Sequence, residues 1–413
     1  MAWPSNAPEK VSDEQWNDWQ RRFAASDAEA GIEVTRDFVP FNQMNDMFTR
    51  AFWDPLIRTD DTDAFFASYR MEAAPRRGSG FNQKDFALRN AAWAISDIIS
   101  DRSAESGLRE GFQGPIANDT PVAPMRADLG NPAEETAEIK ALAKMFGADL
   151  VGVTAVDERW HYTHRPDVRD MTPVANELPK GITHVIVMGH AMDFDLVETY
   201  PSALAGASTG LEYSHEAAIS IQLAAYIRNL GYQAVASMND TALVIPYAIK
   251  AGLGEYGRNQ MVLTPEFGPR VRFSKIFTDL PLLADKPRQL GMATYCNECT
   301  VCADACPPKA LPFGKPEAES DSVSTVQGVK KWSANCEKCF GYWAKIKTDC
   351  AICMRVCPFN RRGGKADDFW RRLALEHGAR GRALARKWHG RKGMRARLKP
   401  AEWWARLKGD RNL

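Results

Sequence analysis

All nine cysteines of this 413-residue chain fall between Cys296 and Cys357. The first run reads Cys296-x2-Cys299-x2-Cys302-x3-Cys306-Pro307, and a second ends Cys350-x2-Cys353-x3-Cys357-Pro358. A disulfide framework spreads its cysteines along a chain, and a cytosolic protein keeps them reduced, so metal ligation is the better reading. Structural zinc uses four-ligand sets, commonly paired C-x2-C knuckles. Two C-x2-C-x3-C-Pro endings are far more specific for [4Fe–4S] clusters, whose iron is matched by soft thiolate sulfur. The short spacings let one loop set three sulfurs around a single cube, while the cysteine before proline crosses to the other cluster. This assigns Cys296, Cys299, Cys302 and Cys357 to one cluster. The other takes Cys306, Cys350, Cys353 and one upstream thiolate, Cys336 or Cys339, so one cysteine is spare.

A cysteine segment of this kind needs no more than its own length to carry electrons, yet nearly 300 residues precede it. Relays attached to a large domain usually feed a second cofactor or a substrate there. The charged and hydrophobic fractions, 25% and 45%, are ordinary for a globular chain. No apolar run approaches the ~20 residues of a membrane helix, and the N-terminal stretch has no apolar signal core, which leads us to expect a cytoplasmic protein. The net charge of +1 hides an asymmetry: residues 361–413 hold 17 Lys/Arg against 5 Asp/Glu, the rest 36 against 47. Such a basic tail, carrying Trp370, Trp388, Trp403 and Trp404, suggests contact with a partner or membrane surface, or with the acidic body of the same protein.

Periodicity predicts a helix over 82–100, a linker near 120–135, and then alternating helices and strands, which argue for a layered α/β domain. Strands are expected at DLVGVTAV, THVIVMGHAM, QAVASMN, QMVLTPE and VRFSKIFTDL. A long amphipathic helix is expected from Tyr213 to Leu230, closing at Gly231. We expect four segments: 1–131 helical and loop-rich, 132–288 α/β, 289–360 holding the clusters, and 361–413 as the tail. Gly252-x-Gly254-x-x-Gly257 imitates a dinucleotide loop, but it follows a helix and leads into a strand, the wrong context. A glycine turn could instead let backbone approach a large planar cofactor, which makes Gly252 and Gly254 candidate cofactor contacts.

The stretch Tyr226–Leu280, with GLGE, TPEFGPRVR and TDLPL, followed by CNECTVCADACP and KCFGYW…TDCAICMRVCPFN, resembles the corrinoid-dependent reductive dehalogenases. The resemblance runs from about Asn82 to Arg361. It implies a nitroreductase-like domain binding base-off cobalamin, covered by the N-terminal region, and a C-terminal ferredoxin-like module with two [4Fe–4S] clusters. It also favours Cys339 over Cys336 as the eighth ligand. The absence of a D-x-H-x-x-G motif fits a cobalt without a protein ligand. By the same resemblance Tyr213 matches the proton donor, Arg272 and Asn239 its partners, and Thr209 the substrate pocket. Strand alternation places Arg270 and Arg272 on one face, so the choice of Arg272 rests on the resemblance. A phenol near pKa 10 needs a neighbouring cation to make its anion accessible. Trp332 and Tyr342 are candidate walls of the pocket.

The implied activity replaces carbon–halogen by carbon–hydrogen on a small organohalide. Electrons would come from an external low-potential donor, a ferredoxin, flavodoxin or reductase, and no nucleic acid is expected as partner. The related epoxyqueuosine reductases share both cofactors but use an aspartate as donor. Here the matching position reads Leu211-Glu212-Tyr213. A non-catalytic iron–sulfur electron carrier is the other alternative.

Overall fold

Along the strand His184–Ala191 successive side chains enter two different cores. Ile186 and Met188 join Ile276, Ala234 and Ala236 beneath the helices Pro132–Phe146 and Ala203–Asn229. Val185 and Val187 join Phe273 and Phe277 on the opposite face, against the helices Asp13–Ala30 and Val244–Lys250. This period of two, apolar on both sides, is what a sheet buried between helical layers requires. A computed structural model, describing residues 11–70, 78–391 and 396–409, shows the resulting α/β arrangement. Its four-stranded sheet is antiparallel throughout, in the spatial order Leu150–Ala155, His184–Ala191, Val271–Thr278, Ala234–Ser237. The expected strand at QMVLTPE shrinks to Val262–Leu263, paired only with Glu255–Tyr256.

The long helix starts ten residues before the expected Tyr213, at Ala203, with the Ser202 hydroxyl accepting from Ala205 N at 3.0 Å. Its first turns, ALAGASTG, are buried nearly all round, so they have no polar face for periodicity to detect. Their smallness has a use. A Cβ on Gly210 would lie 2.4 Å from the Trp93 ring, and one on Gly206 2.8 Å from the Arg89 side chain. The helix Gln83–Asp101 therefore lies directly on this one, and Ser214 Oγ donates to Ala92 O at 2.6 Å to fix the crossing. The expected helix over 82–100 is this element, begun by a capping box between Asn82 and Asp85.

The described part of the basic tail lies on the body rather than projecting from it. Trp370, in the helix Lys365–Leu375, is buried against Tyr295 and Phe359, in the same core as Cys296, Cys299 and Cys357. The Arg361 guanidinium stacks 3.7 Å over its ring, and Trp404 Nε1 donates to Asp85 Oδ1 at 2.8 Å. Arg382 reaches Glu298 at 3.2 Å, beside the first cysteine group. No described helix is long and apolar enough to cross a membrane.

Candidate active site and cluster nests

Two segments far apart in the chain converge on the Tyr213 phenol. Asn239 Nδ2 donates to its oxygen at 2.6 Å, and an Arg272 guanidinium N–H donates to the same atom. The guanidinium carbon also lies 3.6 Å from the Tyr213 ring centroid. From the other side Trp93 stacks at 4.6 Å and Phe112 tilts at 5.2 Å. Tyr213 thus stands mid-helix, with an aromatic wall and a cation. Asn239 is delivered by a turn following the strand Ala234–Ser237. That turn is held by Lys275, whose ammonium donates to Met238 O at 2.5 Å and Asp240 O at 2.9 Å. Arg272 comes from the neighbouring strand. Arg270 lies just ahead of that strand and bonds Met192 O at 2.7 Å, so the two arginines do not share a task.

Burial pushes the Tyr213 phenol above its ordinary value, and Arg272 draws it back only in part. The cation lowers the cost of the anion against burial without making it the resting form. The phenol keeps its proton, and the charge beside it is in place to receive the anion when the proton leaves.

Behind Arg272 lies Glu216, one turn after Tyr213 and fully buried. Among the described residues neither carboxylate oxygen has a hydrogen-bond partner, and Arg272 Nε, itself without one there, stands 3.9 Å away. Burial pushes this carboxyl up to about 7, opposed by Arg272 and Lys275. Because the folded value is raised, the stability gained by keeping Glu216 protonated is complete below its ordinary 4.5 and is lost as the pH climbs through about 7. Glu216→Gln is expected to recover up to about 3 kcal/mol at pH 8 and almost nothing at pH 4.5. Thermal unfolding of cluster-loaded protein at the two pH values measures it, and an equal effect at both would refute the buried-charge account.

The Tyr213 site opens into a cavity of about 1210 Å³. That exceeds the few hundred to 1,000 Å³ of ordinary small-ligand sites. Thr209, Tyr213, Asn239 and Arg272 border it, as do Trp93, Phe112, Tyr69 and Trp343. Among the described residues its lining includes no histidine or cysteine. Carboxylates such as Asp46, Asp97 and Glu255 do border it, but no three described side chains are arranged to hold a metal ion, so the walls fit a metal that brings its own ligands, as the cobalt of a cobalamin does. Thr209 faces the cavity but is tied to Tyr200 OH at 3.0 Å and Asp349 Oδ2 at 2.9 Å.

Four candidates fall outside the cavity walls. Gly252 and Gly254 press on other backbone: a Cβ on Gly252 would lie 2.5 Å from Lys286 O, and one on Gly254 2.3 Å from Leu263 O. Close approach is the reason for these glycines, but to the chain itself and not to a cofactor. Trp332 packs in the core of the first cysteine group and donates to Gly314 O at 3.1 Å. Tyr342 is likewise absent from the lining, and its neighbour Trp343 takes that place. Of the wall residues, Phe112 and Tyr69 come from N-terminal segments without clean periodicity, while Trp93 lies on the expected helix over 82–100, whose periodicity does not reveal what its buried face meets. Glu216 has a sequence signal, its helical i+3 spacing to Tyr213.

Cys296, Cys299, Cys302 and Cys357 border one small enclosed space together with Arg258, Tyr295 and Phe359. Cys306, Cys339 and Cys353 share another core, and burial pushes the thiols of Cys339 and Cys350 up to about 12, each raised further by the other sulfurs of this group. Cys336 turns away into the core of Met47 and Phe340, its Sγ lying 3.6 Å from Ala334 O. No three described His, Cys, Asp or Glu side chains are arranged to hold a single metal ion. The sulfurs of Cys296, Cys299, Cys302 and Cys357 surround a space instead, as a cube of iron and sulfide requires, and only binding to iron would make such desolvated thiols anionic.

Comparison with known proteins gives two family matches. Residues 171–282 match the reductive dehalogenase subunit family, and residues 295–360 the 4Fe-4S double cluster binding domain. The tetrachloroethene reductive dehalogenase of Sulfurospirillum multivorans is 34% identical over 259 residues, 57% of this chain and 52% of that protein. That of Dehalobacter restrictus is 30% identical over 351 residues, 68% of this chain and 63% of that protein. The chain thus spans about half the length of the first relative. A solved catabolic reductive dehalogenase superposes with a TM-score of 0.68 at 23% identity, covering 88% of this chain and 48% of that one, which shows a shared fold.

Proposed function

We propose that this chain, whose residues 171–282 belong to the reductive dehalogenase family, replaces carbon–halogen by carbon–hydrogen on a small organohalide. The observation that carries the reading is the convergence of Asn239 and Arg272 on a buried Tyr213 phenol at the wall of a cavity large enough for a corrinoid. Cobalamin, when bound there, would supply the low-valent cobalt chemistry that cleaves the carbon–halogen bond. Two electrons and one proton are consumed for each halide released.

The chain's own residues supply the rest. Tyr213 holds the proton at its phenol oxygen and faces the substrate space. Asn239 fixes the direction of that oxygen, and Arg272 stabilises the phenolate left when the proton goes. Trp93, Phe112, Tyr69 and Trp343 exclude water and offer flat apolar faces suited to a halogenated alkene or ring. Thr209, held by Tyr200 and Asp349, borders the same space. Cys296, Cys299, Cys302 and Cys357 would hold one [4Fe–4S] cluster, and Cys306, Cys339, Cys350 and Cys353 the other. Electrons would enter from an external low-potential donor such as a ferredoxin, flavodoxin or reductase. A reducing cytoplasm suits nine free thiols.

The test is anaerobic loading with cobalamin, iron and sulfide, followed by halide release from a panel of haloalkenes and halophenols under reduced viologen. One cobalt and about eight irons per chain are expected. Iron uptake without cobalt and without halide release would leave only an electron carrier.

A further inference from the structure

The segment Glu255-Tyr256-Gly257-Arg258-Asn259-Gln260 runs between the large cavity and the first cysteine nest. Glu255, Tyr256 and Gln260 border the cavity, while Arg258 and Asn259 border the space ringed by Cys296, Cys299, Cys302 and Cys357. Each of its polar side chains on the cavity side grips the cysteine module from behind. Glu255 accepts from Gly291 N at 3.0 Å and Ala293 N at 2.9 Å, at the start of the helix that carries Cys296. Tyr256 OH donates to Trp332 O at 3.0 Å, and Gln260 Oε1 accepts from Ala334 N at 2.6 Å.

Arg258 does most of the holding. It is almost wholly buried. Its Nε donates to Cys299 O at 2.9 Å and Cys296 O at 3.1 Å. Its Nη2 reaches Cys296 O at 2.9 Å and Asn297 O at 3.5 Å. Its Nη1 donates to Pro312 O at 2.9 Å and Gly314 O at 2.8 Å. Trp332, which shares Gly314 O, lies 5.1 Å over the guanidinium. Every partner is a neutral carbonyl, and no carboxylate pairs with Arg258 among the described residues. A full positive charge is therefore kept against the cysteine loop in a place closed to water. A planar five-donor fork can satisfy so many carbonyls at once; an ammonium cannot.

We propose that Arg258 is the positioning residue of the cluster held by Cys296, Cys299, Cys302 and Cys357: its fork locks the ligand loop, and its unpaired charge raises that cluster's reduction potential above what the thiolates alone would set. A reduced cluster is one electron more negative than the oxidised one, so a nearby buried cation favours reduction. The inference rests on the two-cluster reading. It also gives the Gly254-x-x-Gly257 turn a purpose, since the glycines let this segment lie against Leu263 and carry Arg258 inward.

Parent protein, Arg258→Gln and Arg258→Lys are loaded with iron and sulfide anaerobically and titrated under EPR detection. Chelator-driven iron loss is followed in parallel. In the Gln variant the potential of one cluster is expected to fall while the other stays. The Lys variant, which keeps the charge, is expected to hold both potentials close to those of the parent but to lose about half of its irons several-fold faster. Unmoved or equally lowered potentials in the Gln variant would overturn the proposal, as would a Lys variant that resists the chelator as well as the parent. If the Gln variant takes up no iron, iron loss from the Lys variant decides alone. A parent without iron would refute the cluster reading itself, whereas a parent with about eight irons and an unresponsive Gln variant refutes only the role of Arg258.

Discussion

Tyr213→Phe, in fully loaded protein, is expected to lower halide release about 10²- to 10⁴-fold, the range of a lost general acid. Iron and cobalt contents should stay at parental values, because the ring and its stack on Trp93 remain. The phenol oxygen is the one group in the site to which Asn239 and Arg272 both donate. Removing it leaves the guanidinium with no anion to stabilise. Arg272→Gln should therefore be nearly as damaging, and the double variant little worse than either alone, since the two side chains act as a unit. Additive losses would show that Tyr213 and Arg272 serve separate steps. Because burial holds the phenol above its ordinary value, no loss of rate from Tyr213 ionisation should appear below about pH 9. A rate that falls between pH 7 and 8 in the parent, and not in Glu216→Gln, would instead report the carboxyl that burial raises to about 7.

The second large effect separates two cysteines only three positions apart. Cys339→Ser is expected to reduce the iron content from about eight to about four and to abolish one of two EPR signals. Cys336→Ser should keep about eight irons. The reason is directional: Cys339 faces Cys306 and Cys353, whereas Cys336 faces Ala334 O and the Met47–Phe340 core. Both sit on the helix Cys336–Ile346, and a step of three residues along a helix leaves side chains about 60° apart, enough to divide them between two cores. Iron counting with EPR on the reconstituted variants decides it. Loss of iron from Cys336→Ser alone would reverse the assignment.

The features legible in the sequence are those in which neighbours along the chain are also neighbours in space. The cysteine runs are the clearest case, because one loop supplies three ligands and the spacing is the chemistry. The buried sheet is legible for a similar reason, since Ile186 and Met188 alternate with Val185 and Val187 along a single strand. The first turns of the long helix are not, because ALAGASTG has no exposed face to interrupt its run of small residues. Gly252, Gly254 and Trp332 mislead because a glycine turn or a large aromatic reveals that something comes close without revealing what. Here Lys286, Leu263 and Arg258 come close.

The amino-acid order alone determined that this chain makes two thiolate nests, a sheet buried between helices, and a basic tail rich in tryptophan. Only the tertiary structure decided which wall each functional side chain faces. It set Trp93 against Tyr213, put Glu216 behind Arg272, turned Cys336 away, and drove Arg258 into the first nest. The physical difference is one of range. Ligand spacing and strand alternation are satisfied within a few residues of backbone, whereas a cavity wall or a buried charge is defined by surfaces that meet only when segments well separated in the chain exclude water together.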